Sequence, residues 1–246
     1  MQSLGALVWL TTPALSGIFL RAFGGDSWKD SGFGLNLLSS WKWYLAAILI
    51  YPLASLLTFG LAALLGIASA EGFASQGFAA YLSAAGVMFA GSLMKNIFEE
   101  FAWRGYLTPR LDAAKVHPML NHLIVSILWM TWHLPYYYYY LDRAVLNSAI
   151  TTSVPVFLIT GYIVMFPTAI LFGELRLLSK SVWPVFILHN IINALSMPLL
   201  MNGFIEVKGP LGFIFTPTNE GVITSLLFGI AGWMLYQYRM KKQAVS

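Results

Sequence analysis

Two carboxylates stand side by side, Glu99 and Glu100, in the stretch KNIFEEFAWRGYLTPR (Lys95 to Arg110), directly after an uncharged run from Ala80 to Met94. Further along come His133 in WMTWHLP, and His189 with Asn193 in FILHNIINAL. In apolar surroundings these side chains are expensive, since a charge at the centre of a membrane helix costs about 2.5–3.5 kcal/mol on insertion scales. Each is therefore a candidate for function. A carboxylate can take a proton from water, while imidazoles and a carboxamide orient that water and stabilise an oxyanion. Two histidines and a glutamate are also a catalytic zinc set. If a metal takes part, its ligands are Glu99, His133 and His189, and the residue types leave metal-free and zinc-assisted water equally open.

Spacing separates the roles. His189 and Asn193 are four apart and share a helix face, whereas adjacent Glu99 and Glu100 diverge by about 100°. Arg104 lies four residues beyond Glu100, in the favourable acid-before-base order, so Glu100 can be neutralised within its own helix. Glu99 is then the freer carboxylate and the candidate base. Lys95, four residues before Glu99, supports a competing reading in which two ion pairs merely staple the helix. Single membrane histidines and asparagines can likewise be hydrogen-bonding glue between helices. The catalytic reading requires Lys95 to point elsewhere. It also requires Glu99, His133, His189 and Asn193 to line one cavity with neighbours about 3–7 Å apart, hydrogen-bond reach or one water longer.

The elements that must position these residues are membrane helices. Charged residues are 10% of the chain and hydrophobic residues 58%, with a mean hydropathy of +0.71, against about 25% charged in soluble domains. Helices long enough to span are expected at about 4–20, 43–67, 79–107, 119–140, 152–176, 182–201 and 220–238. This predicts an all-α polytopic bundle of seven spans, with 1–246 one membrane-embedded domain. No Lys or Arg precedes the first apolar run, so a cleaved signal peptide is not expected. Of the 14 Lys and Arg residues, all but Lys95, Arg143 and Lys208 fall on one side of this arrangement. The positive-inside rule makes that side cytoplasmic, with the N-terminus out and the C-terminus in. The net charge of +4 thus reflects topology and does not imply nucleic acid. For Glu99 to reach the depth of the histidines, its helix must continue through Arg104 to about Arg110. Asp26 to Ser40 is expected to be an interfacial loop or short surface helix, and Tyr136 to Tyr140, with Trp41 and Trp43, an aromatic belt. The chain contains no cysteine, which removes disulfides and thiolate chemistry.

In this order the residues resemble the CPBP family of intramembrane proteases, named for CAAX prenyl endopeptidases and bacteriocin-processing enzymes. The first motif, EExxxR, is matched by Glu99, Glu100 and Arg104. The second, FxxxH, is met at His133, with Trp129 where Phe is usual. The third, HxxxN, is matched by His189 and Asn193. The resemblance covers a core of about 80–200. It implies that Glu99, His133, His189 and Asn193 surround a catalytic water, with Glu100 assisting and Arg104 and Trp129 supporting. It also implies a membrane-associated or lipidated, CAAX-like peptide as substrate, the lipid bilayer as partner, and the bacterial plasma membrane as location. The family's CAAX enzymes typically have eight spans, one more than is read here. Two other functions remain open: a non-proteolytic bacteriocin-immunity or regulatory scaffold of the same fold, and a transporter, against which the absence of an inverted repeat counts.

Overall fold

The computed structural model describes residues 4–150 and 152–245. Their architecture is all-α. Seven helices of 18 residues or more occur among the described residues: α1 (Leu4–Phe23), α2 (Leu37–Leu64), α4 (Phe78–Ala102), α6 (Pro118–Pro135), α8 (Val154–Ser179), α9 (Trp183–Met201) and α11 (Val222–Val245). The short α3 (Glu71–Gln76), α5 (Thr108–Ala113), α7 (Arg143–Ala149) and α10 (Gly212–Phe215) lie between them. Strands β1 (Ala68–Ser69) and β2 (Glu206–Val207) pair antiparallel.

Five helical stretches are long and apolar enough to cross a membrane: α1, α2, the continuous stretch Phe78–Ala113, α8 and α9. The long helices α6 and α11 fall outside that set for separate reasons. Helix α6 carries Asn121, His122 and His133, of which Asn121 and His122 are buried. Helix α11 ends in the basic run that includes Arg239, Lys241 and Lys242. Leucines such as Leu38, Leu56, Leu57 and Leu64 point outward from α2, as a lipid-facing surface requires and a soluble one avoids.

The chain runs on helically past the two glutamates, as expected, but through a π-helical turn, Trp103–Leu107, that joins α4 to α5. Such a turn inserts one residue into the helix, which rotates the following side chains by about 100°. Arg104 and Gly105 are thereby buried within the bundle. Helix α4 packs on α1 and α9, α8 packs on α6 and α11, and α2 closes on α9. At the α6–α8 contact the absence of a Cβ on Gly173 admits the His122 ring, which a Cβ there would meet at 2.3 Å.

One expectation changes, that of the tyrosine belt, and two are refined. The segment 24–36 is the loop of the two expected alternatives, an irregular strap held by salt bridges from Arg21 to Asp30 and from Arg110 to both Asp26 and Asp30. Of the tyrosine run, Tyr139 is exposed, but Tyr136 stacks on Trp9 and Tyr137 on His133, so these two serve the interior and not a surface belt. The helix expected from residue 220 begins at Val222, and Glu220 sits in the turn before it.

Candidate active site

Glu99 is 1% exposed, and both of its oxygens are occupied. One accepts a bond from the Lys95 ammonium; the other accepts the indole N–H of Trp129 at 2.7 Å. The expectation that Lys95 points elsewhere therefore fails. A four-residue helical spacing puts the two side chains on one face, and the pair closes.

His133 Nε2 stands 3.9 Å from the Trp129-bound oxygen of Glu99. Its Nδ1 lies 2.9 Å from the Trp129 carbonyl. A carbonyl can only accept, so Nδ1 carries the proton, and in the neutral ring Nε2 presents its lone pair toward Glu99. His189 is fixed differently from the sequence expectation: Nδ1 lies 2.7 Å from Glu100 and donates to it. Glu100 also receives Arg104 Nη1 at 3.3 Å. Glu100 therefore orients an imidazole from behind, as a carboxylate does for a catalytic histidine.

The Arg104 guanidinium lies between aromatic faces, its Cζ 4.0 Å from the Trp129 ring centroid and 4.8 Å from that of Phe172. Trp129 thus covers a buried cation with its face and binds Glu99 with its edge. A phenylalanine at that position supplies only the first.

Asn193 belongs to an amide network that the sequence reading missed. It donates to Asn96 at 2.9 Å, Asn96 donates to Asn190 at 2.9 Å, and Ser92 donates to Asn190 at 2.8 Å. This network fastens α4 to α9 and fixes the Asn193 carboxamide while leaving it a second N–H. The signal was available, because Asn96 and Asn190 are polar residues in apolar helices next to residues already singled out.

Lys95, Trp129, His133, His189 and Asn193 line one cavity of about 360 Å³. Glu99 lies behind its wall, shielded by Lys95 and Trp129, and Glu100 is fully buried beside Arg104. Glu99, His133 and His189 do not assemble as metal ligands: among the described residues no three His, Asp or Glu side chains form a group that could hold a metal ion. Both oxygens of Glu99 are engaged elsewhere.

A helical bundle with two acid–imidazole contacts beside a cavity has groups that could hold and polarise a water. The comparison with protein families agrees. Residues 81–195 match the family of type II CAAX prenyl endopeptidases described as Rce1-like. All three motifs lie inside that segment, and the match supports the resemblance to the CPBP family of intramembrane proteases. No curated protein and no solved structure matches the chain. The matched family is one of CAAX-type intramembrane proteases.

Proposed function

We propose that this protein is an endopeptidase that hydrolyses a peptide bond of a membrane-associated or lipidated, CAAX-like substrate by glutamate-activated water. The supporting observation is the 3.9 Å gap between Glu99 and His133 Nε2 at the cavity wall. Those two acceptors are spaced for one water to donate to both. Glu99 takes one proton of that water as its oxygen attacks the scissile carbonyl. The Asn193 N–H, and His189 when its Nε2 is also protonated, face the cavity as donors for the resulting oxyanion. Collapse of the intermediate breaks the C–N bond, and the proton held by Glu99 passes to the leaving amine. Lys95 engages one oxygen of Glu99 and the Trp129 indole the other, so the water would use the remaining lone pair of the Trp129-bound oxygen, the one nearer His133.

The Lys95 contact also favours a second reading. With both ion pairs closed and Glu99 screened, the cluster meets the requirements of a structural staple in a non-proteolytic immunity or regulatory scaffold. The proposed topology has seven spans, an outer N-terminus and a cytoplasmic C-terminus in a bacterial plasma membrane, and reporter fusions at both ends test it. Incubating the purified protein with membrane-anchored and prenylated peptides decides the function. Cleavage by the wild type and none by Glu99→Gln supports the protease; no cleavage of any peptide leaves the scaffold.

A further inference from the structure

The cavity has a feature that the water-activating residues do not use. Glu220, in the turn before α11, lines the same space as Lys95 and His133. Among the described residues its carboxylate makes no hydrogen bond and no salt bridge. Every other acid at or behind the cavity is matched: Glu99 by Lys95, and Glu100 by Arg104 and His189. Lys95, the cation that lines the cavity, is thus committed to Glu99. Glu220 presents a carboxyl without a bonded partner in a largely apolar chamber, with the Lys95 ammonium acting on it only at a distance.

The turn that carries it is tied by hydrogen bonds to α2 and α8. The Pro217 carbonyl accepts bonds from Tyr51, at 3.0 Å, and Ser55, at 2.9 Å, both buried near the middle of α2. Thr224 bonds the Thr216 carbonyl at 3.3 Å and Thr58 at 3.0 Å. Ser225 bonds the Val164 carbonyl at 2.7 Å, well inside α8. A Cβ on Gly221 would lie 1.9 Å from the Thr216 carbonyl oxygen, so the turn closes tightly. Non-helical backbone at membrane depth is tolerated where it is buried in protein or lines a cavity. Here it holds one carboxylate in place.

We propose that Glu220 is a specificity-determining residue that receives a lysine or arginine side chain of the peptide substrate, an inference that rests on the proteolytic reading above. Buried charges are stable when paired, and the missing partner is a cation. Much of the remaining wall is methionine, including Met88, Met165, Met197 and Met201. Such side chains adapt to many apolar shapes and discriminate poorly among them. Selection then falls to the one unmatched charge, which favours a basic side chain and disfavours an acidic one.

The test is binding, kept separate from turnover. The full chain is placed in nanodiscs of phosphatidylcholine and phosphatidylglycerol, which carry no primary or guanidinium cation. The probe is a dansyl-labelled leucine–alanine membrane peptide with one lysine scanned along it, compared with norleucine or glutamate at the same places. We expect a register at which lysine binds at least about tenfold more tightly than norleucine, the scale of one charge-assisted hydrogen bond. Glu220→Gln should remove that preference and Glu220→Lys should transfer it to the glutamate peptide. Glu99→Gln, which releases Lys95 into the same cavity, should stop cleavage and also weaken the preference. Equal binding of the three peptides by the wild type overturns the proposal without any variant, as does a lysine preference that survives Glu220→Gln. Loss of the preference when phosphatidylethanolamine is added assigns the site to a lipid ammonium and also overturns it. Selective binding with no cleavage at any register defeats the proteolytic reading alone.

Discussion

Two regions of this bundle are built from the same side chains and differ in what they leave free. Glu174 is fully buried between His122 and Arg239, with His122 Nε2 at 2.9 Å and the guanidinium bidentate at 2.6 and 2.8 Å. It ties α8 to α6 and α11, and none of the three residues lines the cavity. The Glu99–Glu100 region also combines acid, imidazole and guanidinium. There His133 directs Nε2 toward Glu99 across a gap, and Nδ1 of His189 is anchored to Glu100. Both oxygens of Glu174 are taken and the cluster stands away from the cavity, which marks the first as a fastener even though His122 Nδ1 has no partner among the described residues. The spare imidazole nitrogens, and the cavity in front of them, mark the second as a place for a reacting molecule.

The comparison breaks most sharply if the two acids are exchanged in role. Glu99→Gln keeps the shape and the Trp129 contact but removes the base, so turnover should fall by about 10²–10⁴-fold, the usual contribution of general base catalysis. The unfolding temperature in detergent should hardly move. Arg239→Met should do the reverse: it strands a buried carboxylate, at a cost of about 3–5 kcal/mol. The unfolding temperature should drop while the remaining folded protein cleaves at a near-normal rate. A stable, inactive Arg239→Met together with an active Glu99→Gln would reverse the assignment of the two regions.

Trp129→Phe sharpens the same comparison by a smaller step. Phenylalanine keeps an aromatic face over Arg104 but cannot donate to Glu99. Loss of a hydrogen bond to a charged group is worth about 1.5–3 kcal/mol, or roughly ten- to a hundredfold if it acts on the reacting carboxylate. We expect kcat to fall, with less change in KM and little loss of stability. Unchanged kcat would mean that the indole N–H merely fills space.

These contrasts explain what the sequence could and could not reveal. Hydrophobic length placed a helix at each of seven sites, and the Glu100–Arg104 spacing foretold a pair that the structure contains. Periodicity fixes which residues share a face on one helix, but not how that helix is rotated toward its neighbours. Hence His189 was grouped with Glu99, although its bonded partner is Glu100. The Lys95–Glu99 contact was foreseen only as the competing staple, because local spacing allowed it and nothing local forbade it. Glu174 was passed over within an apolar run, and Glu220 was absorbed into a span because hydropathy does not register a turn at membrane depth. The helix did continue past Arg104, yet its π-helical turn has no signature in residue type.

The smallest expected effect comes from outside both regions and calibrates them. Asp30, in the strap between α1 and α2, is partly exposed and bonds Arg21 at 2.6 Å and Arg110 at 3.2 Å. Burial opposes ionisation of its carboxyl, but the two guanidiniums outweigh that and hold it below its usual value of 3.8. A carboxyl whose folded-state pKa is depressed stabilises the fold fully above the unfolded value and loses that contribution as pH falls through the folded one. Stability from Asp30 should therefore be constant at neutral pH and decline below 3.8. Its size should be no more than about 0.2–1 kcal/mol, because solvent screens an exposed pair. The difference in unfolding temperature between wild type and Asp30→Asn, followed from pH 7 downward, isolates this group from the other carboxylates. The gap should be steady near neutrality and close in acid. A gap near zero at every pH would mean that the arginines hold the strap through its backbone carbonyls, as Arg176 does at Asp30, and that the carboxylate adds nothing; a gap that widens in acid would contradict the lowered pKa itself.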